Sequence, residues 1–321
     1  MTGKNKVAVA QLSPCADKDS MMKKVDGVCA EAGANGARLV LFPEALIGGY
    51  PRGQSFGAVV GERLPEGREA YRQYWESAID VPGPECQALG RLAQRDSLHL
   101  VVGVIERDGG TLYCTVLFFS PDGDLLGKHR KLMPTGSERL VWGYGDGSTM
   151  PVFDTPVGKV GAVICWENYM PLMRMAHYSK GIEIYCAPTA DGRETWLSTM
   201  RHIAMEGRCF VLSCNHFARR KHYPAMAGDD PEEIVSRGGS CIIGPLGNVL
   251  AGPDFSGECI LYADIDLADI VRGKYDFDVV GHYARPDVFK LTVDARPKPP
   301  ATVFELEHEC DNLGAQGADR P

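Results

Sequence analysis

The sequence lacks an excess of basic residues. Its 34 lysines and arginines are outnumbered by 42 aspartates and glutamates, so the 321 residues carry a formal charge of −8 at pH 7. Domains that bind nucleic acid or anionic membrane surfaces usually have the opposite balance. The composition therefore argues against both of these partner classes.

Long apolar runs and paired cysteine motifs are missing as well. No stretch approaches the roughly 18 apolar residues of a membrane-spanning helix, and the first residues lack the apolar core of a signal peptide. The 11 cysteines are odd in number and include no Cys-x-x-Cys spacing, which is typical neither of a disulfide framework nor of a zinc ribbon. Free thiols are usual in reducing compartments. We therefore expect a cytoplasmic protein without a metal site.

What remains is the composition of an ordinary globular protein, with 44% hydrophobic and 24% charged residues. Short apolar runs alternate with helical patterns from the start of the chain to residue 295, and no linker or repeat interrupts them. This alternation predicts a single α/β domain over residues 1–295. Residues 296–321 are polar and are predicted to form a flexible C-terminal tail.

The predicted strands are numerous. They lie at 7–12, 39–42, 98–106, 112–120, 160–164, 182–187, 209–215, 240–243 and 259–265. The predicted helices lie at 19–35, 66–78, 85–95, 171–180 and 194–206, with Asp19 or Ser20 as the N-cap of the first. So many strands favour two sheets covered by helices over one very wide sheet.

A proline and a glutamate follow the predicted strand that ends at Phe42. A carboxylate at the end of a buried strand lies partly out of water, where burial favours its neutral form and a nearby cation favours its ionised form. Most glutamates after strands are solvated loop residues. Glu44 is therefore a candidate general base only if other reactive groups converge on it.

Residues 128–132, Lys-His-Arg-Lys-Leu, form a dense cationic cluster. For most of this cluster we expect an exposed, charged edge strand, which protects a sheet from aggregation. A lysine that points inward would instead offer its ammonium group to a carboxylate and to negative charge developing on a substrate. The sequence alone does not identify which lysine points inward.

Cys165 ends an apolar strand that begins at Val160, and Trp-Glu-Asn follows it. Ligands of open α/β sheets bind at the carboxyl ends of strands. A buried free cysteine is more often a small core residue, and that interpretation fits the other ten, including Cys186, Cys209, Cys214 and Cys241. Cys165 differs because its position and polar neighbours would give a thiolate both access and stabilisation.

Together these three positions supply a base, a cation and a nucleophile. A thiolate attacks an unsaturated carbon, a carboxylate takes the thiol proton, and an ammonium group with backbone N–H groups stabilises the anionic intermediate. None of the 8 histidines falls in a Cys-His-Asn signature. Papain-like chemistry is therefore not favoured.

On these residues the chain resembles the nitrilase superfamily of carbon-nitrogen hydrolases, and within it the nitrilase branch of plants and some bacteria. The resemblance runs from residue 6 to residue 295 and rests on five segments in the family's order. They are Phe-Pro-Glu-Ala-Leu-Ile-Gly-Gly-Tyr-Pro-Arg-Gly at 42–53, Gly-Lys-His-Arg-Lys-Leu-Met-Pro-Thr at 127–135, Cys-Trp-Glu-Asn at 165–168, Tyr-Cys-Ala-Pro-Thr-Ala-Asp-Gly at 185–192 and Gly-His-Tyr-Ala-Arg-Pro-Asp at 281–287.

The resemblance implies a role for each candidate. Glu44 would be the general base, Lys131 the lysine that stabilises the transition state, and Cys165 the nucleophile. Glu138 matches the family's second glutamate, although an ordinary surface ion pair is the alternative. The family fold is a four-layer α-β-β-α sandwich, and its reaction needs no cofactor. A nitrile would become a carboxylic acid and ammonia through a cysteine thioimidate and thioester, with some amide if the thiol leaves first.

Seven residues beside these positions are candidates for the substrate pocket. They are Tyr50, Thr135, Trp142, Trp166, Pro188, Thr189 and Trp196. Aromatic and apolar walls suit a nitrile with a hydrophobic or aryl group. The same aromatic side chains are equally compatible with positions in the core.

Several alternatives stay open at this point. Amide or carbamoyl hydrolysis and cyanide hydration use the same residue types across the superfamily. The resemblance also implies a homo-oligomer built from dimers, with spiral or helical assembly in some members and residues 281–287 as a candidate interface. A purely structural, filament-forming protein is the alternative from another class, and the three filled catalytic positions argue against it.

Overall fold

The computed structural model of the protein describes residues 4–301. Residues 296–301 are exposed and belong to no helix or strand, and the rest of the predicted tail lies outside the described residues. The described helices are all too short or too polar to cross a bilayer.

Most strands, numbered along the chain, belong to two sheets. The first sheet contains β1 (Lys4–Gln11), β2 (Leu39–Leu41), β5 (Ile79–Asp80), β6 (His99–Asp108), β7 (Thr111–Phe119), β8 (Leu125–Arg130) and β17 (Cys259–Asp266). The second contains β9 (Val152–Thr155), β10 (Gly158–Ala162), β11 (Ile184–Thr189), β12 (Phe210–Asn215), β15 (Ser240–Ile243) and β16 (Val249–Asp254). Two small ribbons pair β3 (Ala58–Val59) with β4 (Glu62–Arg63), and β13 (Phe217–Arg219) with β14 (Ile234–Arg237).

Within residues 4–301, six α-helices and four short 3₁₀ turns connect the strands. The helices are α1 (Lys18–Ala34), α2 (Pro65–Ser77), α3 (Pro84–Asp96), α4 (Pro171–Ser179), α5 (Glu194–Gly207) and α6 (Ala268–Lys274). The turns are Gly136–Leu140, Gly147–Thr149, Cys165–Tyr169 and Arg220–His222.

The two sheets share one plan. The first has the order β17-β1-β2-β6-β7-β8, in which β1, β2 and β6 run parallel and their outer neighbours are antiparallel; β5 pairs with the far end of β6. The second has the order β16-β15-β12-β11-β10-β9, with β10, β11 and β12 parallel. Parallel neighbours need a crossover, and helices α1 to α5 supply it.

Side-chain alternation along the strands builds the layers. Val7 and Val9 of β1 join a core between the sheets that includes Leu212 of β12, whereas Ala8 of β1 faces outward into a core formed with α1 and α3. The outer face of the second sheet packs against α4 and α5 in a third core, which includes Tyr185. The order is helix, sheet, sheet, helix, so the predicted four-layer α-β-β-α sandwich is confirmed.

The predicted elements differ from the observed ones mainly at their ends. The predicted N-cap of α1 is wrong: Asp17 caps the helix, and its Oδ1 accepts the Ser20 N–H at 2.8 Å. The sequence pattern does not predict β5, β9, β16, α6 or the two ribbons. These elements have between two and seven residues, which is too few for a clear hydrophobic period.

Candidate active site

The three main candidates follow three different strands. Glu44 lies three residues beyond β2, and Lys131 directly follows β8, so both follow strands of the first sheet. Cys165 lies three residues beyond β10 of the second sheet. The structure brings all three together at the same edge of the sandwich.

A buried ion cluster forms the centre of the site. The Lys131 ammonium donates to Glu44 Oε1 at 2.7 Å and to Glu138 Oε2 at 2.8 Å. Glu44 and Lys131 are almost completely shielded from solvent, and Glu138 is 8% exposed. The ring of Trp142 lies 5.4 Å from the Lys131 ammonium. Two carboxylates and an aromatic face therefore replace the water that an ammonium group would otherwise require.

Glu138 is itself held in place by neighbouring donors. The Tyr50 hydroxyl donates to Oε1 at 2.7 Å, and the Thr135 backbone N–H donates to Oε2 at 2.6 Å. Glu138 is thus a buried member of the cluster and not the surface ion pair that the sequence left open.

Cys165 sits on a strained turn. It opens the Cys165–Tyr169 turn with φ +50°, in the left-handed region that residues other than glycine rarely adopt. The Asn168 side-chain amide donates to the carbonyl oxygens of Cys165 at 2.7 Å and Val163 at 2.9 Å, which fixes this conformation. The Thr189 hydroxyl donates to Cys165 Sγ at 3.2 Å. Strain of this kind concentrates at functional sites.

Burial and neighbouring charges determine the protonation state of the Cys165 thiol. Burial raises the pKa of Cys165, the negative charge of Glu44 raises it further, and Lys131 opposes both. The resting sulfur is therefore a neutral thiol and needs a base.

Burial also raises the pKa of Glu44, with Lys131 opposing and Glu138 adding to the effect. Glu44 Oε2 is buried and has no hydrogen-bond partner among the described residues. A carboxylate with a raised pKa and an unused oxygen is suited to accept a proton.

Lys131 keeps its positive charge. Burial by itself would lower the pKa of its ammonium group, but Glu44 and the other acidic groups around it outweigh burial and hold the pKa well above its usual value. The site therefore contains a permanent cation beside the thiol.

Glu167 ties the two sheets together next to the site. Its Oε1 accepts the Leu132 N–H at 2.5 Å, immediately after Lys131, and its Oε2 accepts the Ile164 N–H at 2.9 Å, immediately before Cys165. His129 Nε2 lies 3.0 Å from the same Oε2. Burial raises the pKa of Glu167, but His129 and the two N–H donors outweigh burial and lower it. The charged carboxylate thus fixes Lys131 relative to Cys165.

Because side chains alternate along a strand, the cationic residues of the cluster at 128–132 point in two opposite directions. Lys128 and Arg130 both contact the buried carboxylate of Glu106, at 2.5 Å and 2.9 Å. His129 and Lys131 point the other way, towards the site. The strand β8 is an edge strand, as expected, but the expected exposure of the cluster is wrong: residues 128–132 are all buried or half-buried, because Lys128 and Arg130 pair with buried Glu106. Lys131 is the inward lysine that the sequence left unassigned.

A cavity of about 510 Å³ opens onto the thiol. Of the seven predicted pocket residues, Tyr50, Thr135 and Trp166 line it, as do Glu138 and Cys165.

The other four predicted pocket residues do not line this cavity, so their assignment to its wall is wrong. Thr189 contacts Cys165 Sγ, and Trp142 packs edge-on against Tyr50 with ring centres 5.8 Å apart. Pro188 is buried in β11, and Trp196 lies in the core beneath α5, where its Nε1 donates to Ser213 at 2.8 Å.

Further lining residues were missed by the sequence reasoning. They are Arg52, residues 190–193 and residues 234–237. Trp166 Nε1 donates to Asp191 at 2.9 Å, and the Arg193 guanidinium stacks over the Trp166 ring at 4.7 Å. Arg52 and Asp191 lie within segments that carry the family resemblance, which was an available signal. Residues 234–237 gave none, because only the fold brings this short ribbon to the site.

Within residues 4–301, no group of three or more histidine, cysteine, aspartate or glutamate side chains is arranged to hold a metal ion.

Substitution of Glu167 tests its role in holding Lys131 relative to Cys165. Glu167→Gln replaces one acceptor oxygen by an amide group, so at least one buried N–H loses its partner. We expect the free energy of unfolding to fall by about 1–3 kcal/mol and kcat/KM to fall by at least about tenfold, because Lys131 and Cys165 lose their fixed separation.

Chemical denaturation and steady-state rates measure the two effects. Glu183→Gln is the matched control, because Glu183 Oε2 also accepts a backbone N–H, from Lys159 at 2.8 Å, but far from the site. Equal kcat/KM in the two variants would contradict the role given to Glu167.

Comparison with known proteins identifies the family of this chain. The carbon-nitrogen hydrolase family profile matches residues 6–275. A nitrilase of Bradyrhizobium diazoefficiens is 60% identical over 301 residues, which cover 92% of this chain and 94% of that protein. A bifunctional nitrilase/nitrile hydratase of Lupinus angustifolius is 57% identical and covers 92% and 87%. The crystal structure of a carbon-nitrogen hydrolase from Helicobacter pylori has the same fold, with a TM-score of 0.72 at 22% identity over 89% of this chain and 97% of that one. The chain belongs to the carbon-nitrogen hydrolase family, as its sequence motifs implied.

Proposed function

We propose that the protein hydrolyses an organic nitrile to the carboxylic acid and ammonia. The observation that carries this proposal is a buried Lys131–Glu44 pair beside the Cys165 thiol, at the base of a cavity large enough for a small organic molecule. Relatives at 57–60% identity are named nitrilases in both bacteria and plants. These names favour nitriles over the amides or carbamoyl compounds that other members of the superfamily use.

The first step is addition of sulfur to the nitrile carbon. Glu44 takes the thiol proton, Cys165 Sγ bonds to the carbon, and one C–N π bond moves its electrons onto nitrogen. Lys131 and the backbone N–H of Trp166 stabilise that negative nitrogen, which then takes the proton from Glu44 to give a thioimidate and leaves Glu44 ionised again.

Two water molecules complete the reaction. Glu44 accepts a proton from the first water, whose oxygen adds to the thioimidate carbon. The nitrogen takes this proton from Glu44 and a second proton from the new hydroxyl group, the C–N bond breaks, and ammonia leaves a thioester. The second water adds in the same way, the C–S bond breaks, and the carboxylic acid leaves as the thiol is regenerated.

The first tetrahedral intermediate can also break its C–S bond. That route releases the thiol instead of ammonia and yields an amide, which keeps the nitrogen. We propose it as a minor product, supported by the relative named bifunctional nitrilase/nitrile hydratase.

Glu138 supports the lysine in this scheme. It accepts a second hydrogen bond from the Lys131 ammonium, so the cation keeps one carboxylate partner when Glu44 becomes protonated. Lys131 then stays charged and in place through each proton transfer.

A substrate panel tests the activity. Phenylacetonitrile, butyronitrile and the two matching amides are each incubated with the enzyme, and ammonia and amide are both quantified. We expect ammonia release from at least one nitrile, with acid in excess of amide. Turnover of the amides alone would contradict nitrile hydrolysis.

Glu44→Gln tests the base. Because the amide cannot accept the thiol proton, we expect kcat to fall by about 10²- to 10⁴-fold with little change in secondary structure by circular dichroism. In the unmodified enzyme, activity should be lost as acid protonates Glu44, and its raised pKa places this loss at a higher pH than for an ordinary glutamate. Substantial residual turnover in the variant at neutral pH would show that another group is the base.

We also propose that the protein forms a homo-oligomer in the cytoplasm. Met205 of α5, Leu246 and Val271 of α6 are exposed apolar side chains on adjoining segments, and such surfaces commonly form interfaces. Residues 281–287, the other candidate interface, are mostly exposed. The ten cysteines within the described residues are all free, which suits a reducing compartment.

Light scattering after size-exclusion chromatography measures the assembly. We expect a dimer or a larger multiple of it, and Leu246→Lys is expected to shift the population towards monomer, because a buried lysine would have to lose its hydration. Leu126→Lys on the edge strand is the control. A monomeric unmodified protein would contradict the proposal.

A further inference from the structure

Cys114 contacts both members of the catalytic ion pair. It lies in β7, almost fully buried. Its Sγ is 3.5 Å from Glu44 Oε1, the same oxygen that accepts the Lys131 ammonium. Its backbone carbonyl oxygen accepts a hydrogen bond from the backbone N–H of Lys131 at 2.8 Å. One residue therefore touches the base through its side chain and the lysine through its backbone.

The thiol of Cys114 acts as a donor. An ionised carboxylate only accepts hydrogen bonds, whereas a cysteine S–H is a weak donor. Burial raises the pKa of Cys114 well above its usual value, and the charge of Glu44 adds to this effect, so the proton stays on sulfur. The S–H group thus points its hydrogen at Glu44 Oε1.

The two oxygens of Glu44 consequently differ. Oε1 faces two donors, the Lys131 ammonium and the Cys114 thiol, whereas Oε2 is buried without a partner among the described residues. We propose that Cys114 is a positioning residue that holds Oε1 so that Oε2 remains the oxygen that receives protons from Cys165 and from water. This inference rests on the proposed role of Glu44 as the base.

Other buried cysteines lack this arrangement. Among the described cysteines, Cys86 and Cys214 donate to backbone carbonyls, whereas the Cys114 thiol donates to the Glu44 carboxylate. Cys186 lies in the same core between the sheets, and burial alone raises its pKa. Cys186 therefore provides a matched control.

The remaining titratable groups around Glu44 define its charge environment. His216 Nε2 lies 2.6 Å from the Glu44 backbone oxygen, and burial lowers the pKa of His216 to about 4, so the ring is neutral. The other groups that act on the Glu44 carboxyl are Lys131, Glu138, Cys165, Tyr50 and Tyr74. Loss of the Cys114 donor removes a hydrogen bond to the charged form of Glu44, which shifts its titration to higher pH.

The experiment compares Cys114→Val, Cys114→Ser and Cys186→Val. Valine keeps a similar apolar volume and removes the donor, whereas serine keeps a donor. We expect Cys114→Val to lower kcat about three- to tenfold with KM little changed, and to move the acid limb of the kcat profile to higher pH. Cys114→Ser and Cys186→Val should keep the acid limb of the unmodified enzyme.

Two outcomes would overturn the inference. One is an acid limb and a kcat in Cys114→Val that equal those of Cys186→Val. The other is the same shift in Cys114→Ser as in Cys114→Val. If Cys114→Val does not fold, Cys114→Ala takes its place in both comparisons.

A readout without substrate separates this inference from the proposed function. Alkylation of Cys165 by iodoacetamide is followed across pH by mass spectrometry of the Cys165 peptide. If Glu44 accepts the thiol proton with the help of Cys114, the pH dependence of alkylation shifts in Cys114→Val even when no nitrile is turned over. If the pH dependence of Cys165 alkylation is unchanged in Cys114→Val, the positioning role of Cys114 is contradicted, whatever the substrate panel shows.

Discussion

The site depends on one constraint, which is the cost of keeping the Lys131 ammonium out of water. An isolated buried cation is strongly unfavourable, so the fold must supply compensating charge and hydrogen bonds. Glu44 and Glu138 provide the charge, and Tyr50 and Thr135 hold Glu138 in position. Because these groups come from separate segments, the cluster exists only in the folded chain.

The proposed nucleophile and the proposed base follow strands of different sheets. Glu44 and Lys131 follow strands of the first sheet, and Cys165 follows a strand of the second. The distance between them is therefore set by packing between the sheets, where Val9 and Leu212 lie, and by polar links that cross the interface. Glu167 is one such link, and the contact between His216 and the Glu44 backbone is another.

Much of this arrangement was accessible from the sequence, for identifiable reasons. Alternating apolar residues predicted the strands, and the strand count predicted two sheets. The motifs around Glu44, Lys131 and Cys165 predicted the cluster. Which side chains meet in space was harder to predict. Trp196 is a residue type that often lines pockets, yet its indole lies in the core under α5. Cys114 lies in an apolar strand, and nothing local distinguishes its thiol from an inert one.

The left-handed backbone at Cys165 also restricts which nucleophile this position can hold. At φ +50° a side chain branched at Cβ clashes with its own backbone, whereas an unbranched one is tolerated at moderate cost. Cysteine and serine satisfy that requirement, but threonine does not. The shape of the main chain thus narrows the evolutionary choice of reactive atom before any question of chemical reactivity arises.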